Sequence, residues 1–150
     1  MNVMTASKPT CPYCGVEESR DISCRAIWEN FLALEFTDPA YGQVHFFTVA
    51  AYQIQHQGYS QAALAWIAEH LLRALQGEPV DRIRTAAQSA EDQRFRTEKI
   101  ERQPQEPQLA PVNWRMTILD VYVHMQDAES YCLWIRRWAQ AVYEDMQVWL

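Results

Sequence analysis

Cys11 and Cys14, set in Cys-Pro-Tyr-Cys-Gly, and Cys24 ten residues further on are the side chains of this sequence best placed to do chemistry. A Cys-x-x-Cys turn points both thiolates at one tetrahedral ion, and the glycine after it permits the backbone bend that follows. The chemistry predicted is a structural zinc ion held in a knuckle over residues 11–24. Two thiolates do not fill such a shell, so Cys24 is the natural third ligand and the fourth must come from elsewhere. Cys132 stands apart near the other end of the chain. In a reducing compartment, clustered cysteines of this kind signal a metal site more often than a disulfide frame.

Cys-Pro-Tyr-Cys is also the tetrad of glutaredoxin active sites, so thiol redox chemistry is the competing reading. A redox site of that type follows a buried strand and opens a helix, whereas Thr5 to Thr10 is short and polar and Gly15 interrupts what comes next. Unligated thiols are a further alternative, as is a sensor that releases zinc when its thiolates oxidise.

The search for a fourth ligand leads to two polar pairs, Cys24 with Glu35 and His45 with His56, each eleven residues apart. Eleven residues are close to three helical turns, so each pair shares one face of its helix. If the two helices form an antiparallel hairpin, a single register sets Cys24 opposite His56 and Glu35 opposite His45. Three turns span about 16 Å, too far for both histidines to reach one ion. The register therefore assigns His56 to the zinc, with His45 as the fallback. By the same reasoning the next turn, at Gly58 to Ser60, carries His70 to within about one turn of His45. Glu35, His45 and His70 are thus candidates for a second metal or an acid/base pocket, with Tyr41 or Tyr52 as lining. The plainer reading of the trio is a hydrogen-bonded seam in the core. His124 has no partner spacing and receives no role, and the His-Glu-x-x-His, Gly-rich and Gly-x-Ser-x-Gly patterns are absent.

Helices must carry these residues. Ser23 can cap a first helix to about Phe36, with Cys24, Ile27, Trp28, Phe31, Leu34 and Glu35 at helical spacing. Thr37-Asp38-Pro39 punctuates it. A second helix starts at Pro39 or just after Gly42 and runs to Gln57, and a third, capped by Ser60, covers about Gln61 to Gln76 and stops at Gly77. From Val80 to Arg102 the charges alternate in sign, as on one or two solvated helices. Pro104, Pro107 and Pro111 make residues 103–113 a wrapping loop. After a short Thr117 to Met125 segment, Asp127 caps a last helix. Its stripe of Tyr131, Trp134, Ile135, Trp138, Val142 and Trp149 belongs to the core or an oligomer contact.

With 150 residues, 49% of them hydrophobic and 21% charged, the chain suits one core. The expected fold is all-α, a small helical bundle over residues 11–150 with an N-terminal zinc knuckle, after a flexible lead-in at residues 1–10. No apolar run approaches the ~20 residues of a membrane span, and Met1 to Thr10 lacks the pattern of a secretory signal, so a cytoplasmic location is expected. Thirteen basic against nineteen acidic residues give a net charge of −6, which weighs against nucleic-acid binding.

The residues resemble a family of small, uncharacterised bacterial proteins built on a domain of unknown function. The likeness rests on Cys11, Cys14, Gly15 and Cys24, then Leu32 to Tyr41, His45, Thr48, Val49, Tyr52, Gln55, His56 and His70-Leu71. It covers about half the chain, and departs at Gln57, where proline often follows the Gln-His pair. The resemblance implies kinship and metal binding without an activity. The function expected is a zinc-stabilised binding or adaptor module for a protein partner or small ligand, with a homodimer through the tryptophan-rich last helix as one arrangement. A Glu/His/His enzyme is the alternative.

Overall fold

The computed structural model describes residues 9–85 and 100–150. The first eight residues of the expected lead-in and most of the alternating-charge stretch lie outside them, although residues 80–85 are helical. As expected, the fold is all-helical, and among the described residues the backbone pairs sideways only in isolated antiparallel bridges, Thr10 with Glu17 and Tyr59 with Glu101.

Helix α1 runs Cys24–Thr37 and is capped by Ser23, whose Oγ accepts the Ala26 N–H at 3.0 Å. Its apolar period buries Ile27 and Phe31. Before Pro39 the backbone must leave the helical region, and Asp38 does so with φ −133° and ψ 113°. The Asp38 carboxylate then accepts the Ala40 N–H at 2.9 Å and starts α2, Pro39–Gly42. This single turn folds back tightly on α1. A Cβ at Gly42 would lie 2.6 Å from the Glu35 carbonyl oxygen, so only glycine allows the approach.

Both expected starts of the second helix are therefore used: the short α2, then α3 over His45–Gln55. Gln57 closes α3 in the left-handed region at φ 55°. Proline is held near −65°, so a chain with proline here would leave the helix by another route. Helix α4, Gln61–Leu75, is capped by Ser60 and ends before Gly77, which adopts φ 96°. The expected short segment is α5, Ile118–His124, opened by a Thr117–Asp120 capping box. Asp127 and Ser130 form the same device at the start of α6, Ala128–Asp145, which continues as a 3-10 turn over Met146–Trp149.

Helix α6 is the hub, packing on α2, α3, α4 and α5. Tyr131, Ile135, Trp138 and Val142 recur along one face and are fully buried, whereas Trp134 and Trp149 are only partly so. Gln55 is buried too: its amide donates to the Met116 carbonyl at 2.7 Å, and its oxygen accepts the Trp138 indole N–H at 3.1 Å. The proline-rich loop forms no helix and is strapped down by side chains. Glu106 accepts the Gln61 N–H, Gln57 accepts the Leu109 N–H, and Trp149 donates to the Ala110 carbonyl. None of the helices among the described residues is long and apolar enough to cross a membrane.

Candidate metal centre

The knuckle is a tight hairpin. Cys11 donates its N–H to the Val16 carbonyl at 2.9 Å, Gly15 donates to the Cys11 carbonyl at 3.0 Å, and Gly15 takes φ 83° to close the turn. Both thiols are thereby turned inward, and Cys11, Cys14 and Cys24 are all buried. Cys24 comes from the first position of α1 and His56 from just beyond α3. The ligand atoms of Cys11, Cys14, Cys24 and His56 all lie within 4.8 Å of one another. A tetrahedral zinc ion with bonds of about 2.0 to 2.3 Å would place its ligand atoms ~3.5 to 3.8 Å apart, a contraction that small side-chain rotations supply.

His56 carries the most telling geometry. Its Nδ1 lies 2.7 Å from the Tyr52 carbonyl, so the proton sits on Nδ1 and the lone pair on Nε2. Nε2 is buried and has no hydrogen-bond partner. Metal-binding histidines characteristically tie the second ring nitrogen to a carbonyl in this way. The ring is also clamped: Tyr52 stacks on it at 3.9 Å, and Trp28 stacks on Tyr52 at 4.1 Å. Tyr52 sits four residues before His56, the helical spacing at which side chains meet, so this support was visible in the sequence. Trp28, on the other helix, became part of it only through folding.

The electrostatics suit a cation. Burial raises the Cys14 thiol far above its ordinary value, reinforced by the charges of Cys24 and Cys11. Cys24 is pushed up to about 11 by burial and by Cys11. Cys11 moves the other way: burial opposes ionisation, but hydrogen bonds from the Cys14 and Tyr13 backbone and from the other thiols outweigh it. Burial lowers His56 and keeps the imidazole neutral, the form that binds metal. One thiolate is thus favourable here and three together are not, unless a divalent ion compensates them.

Glu35 faces His45 as the register requires, its Oε1 lying 2.7 Å from His45 Nδ1. His45 is therefore held by Glu35, and the histidine that lies beside the three thiols is His56. The Glu35 side chain is 1% exposed, and its Oε2 accepts the hydroxyls of Thr48 at 2.6 Å and Tyr131 at 2.5 Å. Tyr131 lies 96 residues away in sequence, and nothing in its spacing marked it as a partner. Three donors occupy the carboxylate, the arrangement of a core seam.

His70 does not join this group. Its Nδ1 lies 2.7 Å from the Trp66 carbonyl, its ring packs on Trp66 at 4.3 Å, and it lines a small cavity with Phe46 and Ile83. Phe46 and His45 point about 100° apart around α3, and it is Phe46 that shares a cavity with Trp66, Ile67 and His70 of α4. Tyr41 packs on Tyr131 and Tyr52 stacks on His56, so neither lines a pocket over Glu35. His124 stacks on Trp134 at 4.0 Å on the surface, and Cys132 is buried with its thiol donating to the Ala40 carbonyl.

A family model described as a family of unknown function, DUF5946, matches residues 9–147. No curated protein and no solved structure matches the chain.

Proposed function

Because the chain belongs to DUF5946, a family of unknown function, its role is read from its own residues, and we propose that it is a zinc-stabilised helical binding module. The observation that carries this reading is the buried, unpartnered Nε2 of His56 beside three buried thiols. Three thiolates and one imidazole complete a tetrahedral shell and leave no position for substrate, so the ion is structural rather than catalytic. It ties the N-terminal hairpin to the start of α1 and the end of α3. Zinc is preferred over other divalent ions because sulfur-rich tetrahedral sites select it or iron–sulfur centres, and a mononuclear site with one imidazole suits zinc. The saturation of Glu35 by Thr48, Tyr131 and His45 supports a structural part for that seam as well.

The test is metal analysis of the purified chain followed by thermal melts with and without a chelator. One zinc per chain is expected, and its removal should lower Tm sharply or abolish the cooperative transition. An unchanged melt after zinc is stripped would overturn the structural role.

A further inference from the structure

A groove of about 850 Å³, none of whose lining residues belongs to the knuckle, runs between α6 and the segment that follows α4. Phe47, Val80, Met116 and Leu133 give it an apolar lining, and Arg136 and Arg137 stand at its edge. The volume falls in the range of small-molecule sites, ~300 to 1,000 Å³, which combine apolar walls with a few placed polar groups.

Charge distinguishes this groove from a surface dent. The chain carries a net charge of −6, yet Arg136 and Arg137 form no ion pair among the described residues. The acidic groups at the rim have cationic partners of their own: Glu78 pairs with Arg73 at 2.6 Å, and Glu144 shares Arg115, at 2.6 Å, with Asp145, at 2.8 Å. Both free guanidinium groups are instead held against rings, Arg136 at 5.9 Å from the centre of Phe47 and Arg137 at 4.9 Å from that of Trp134. Such contacts fix the planar groups and leave their N–H edges available. A carboxylate or phosphate matches that edge geometry, and an apolar body would cover Phe47 and Met116.

We propose that this groove binds a small amphipathic anion, its single carboxylate or phosphate head held by Arg136 and Arg137 and its apolar body lying on Phe47 and Met116. The site is separate from the metal cluster and does not depend on the zinc assignment.

Calorimetric titration of the full chain, as purified with its metal, with octanoate, octyl phosphate and the neutral isostere octanamide tests this. At least one of the two anions should bind, the preferred one identifying the head group, and octanamide should bind roughly tenfold or more weakly. Arg136→Gln and Arg137→Gln should each weaken the anion roughly tenfold, while Arg25→Gln, the same charge change on α1, should leave it unaltered. Both arginines are exposed, so these variants are expected to fold, and their melts check it. Failure of both anions to bind, equal binding of octanamide, or an equal loss in Arg25→Gln would overturn the proposal.

Discussion

Glu35→Ala removes the acceptor shared by three helices, and its cost can be worked donor by donor. His45 is 38% exposed and turns to water, so its loss is small. Thr48 is buried but has the Val44 carbonyl at 3.2 Å as a second acceptor, so it too is largely spared. Tyr131 is fully buried, and without the carboxylate its hydroxyl is left with the neutral Thr48 hydroxyl as its partner. Exchanging the charged acceptor for that neutral one costs about 1 to 3 kcal/mol, and the lost methylene packing adds roughly 1 kcal/mol, for a total of about 2 to 4 kcal/mol. Tyr131→Phe alone leaves the carboxylate two donors and should cost about 1 to 2 kcal/mol. The double variant no longer contains that hydroxyl, so the two losses should fall short of additivity by about 1 to 2 kcal/mol. Urea unfolding of zinc-saturated protein measures all three, provided m is unchanged. Additivity within ~0.5 kcal/mol would refute the Glu35–Tyr131 seam as the bond that joins α1 to α6.

His56→Ala should weaken zinc binding at least tenfold, whereas His45→Ala should leave stoichiometry and affinity unchanged; equal effects in a competition titration would rule against His56 as the ligand. Gly42→Ala drives a methyl into the Glu35 carbonyl, so denaturant melts should show a loss of about 1 to 3 kcal/mol, and a neutral result would show that α2 can move away from α1. The Asp127 carboxyl lies below its ordinary value because it accepts the Ser130 backbone N–H and hydroxyl. A carboxyl lowered in the folded state stabilises fully above its unfolded value of 3.8 and loses that contribution as pH falls through the folded value. The difference in Tm between wild type and Asp127→Ala should therefore narrow in the acid range. Comparing the two chains at each pH cancels the separate effect of acid on metal binding.

Much of the fold was legible because it is governed by short-range chemistry. Ser23, Ser60, Thr117 and Asp127 each cap the helix that follows, since a side-chain oxygen at those positions satisfies backbone N–H groups left over by the first turn. The gathering of Cys24 and His56 was legible for a related reason. Eleven residues keep a constant face, so one antiparallel register sets both Cys24 beside His56 and Glu35 beside His45. The break between α2 and α3 did not disturb that register, because α2 is a single turn that folds back through Gly42.

What the sequence by itself determined was the knuckle, the helix ends and the two facing pairs, all consequences of spacing within a few turns or one hairpin. Tertiary packing alone decided which donors reach Glu35, where His70 turns, how Gln55 clamps Trp138 to Met116, and that Arg136 and Arg137 border a groove. These depend on the angle at which α4 and α6 cross α3. That angle is set by how side chains distant in sequence interlock, and local propensity and periodicity carry no record of it.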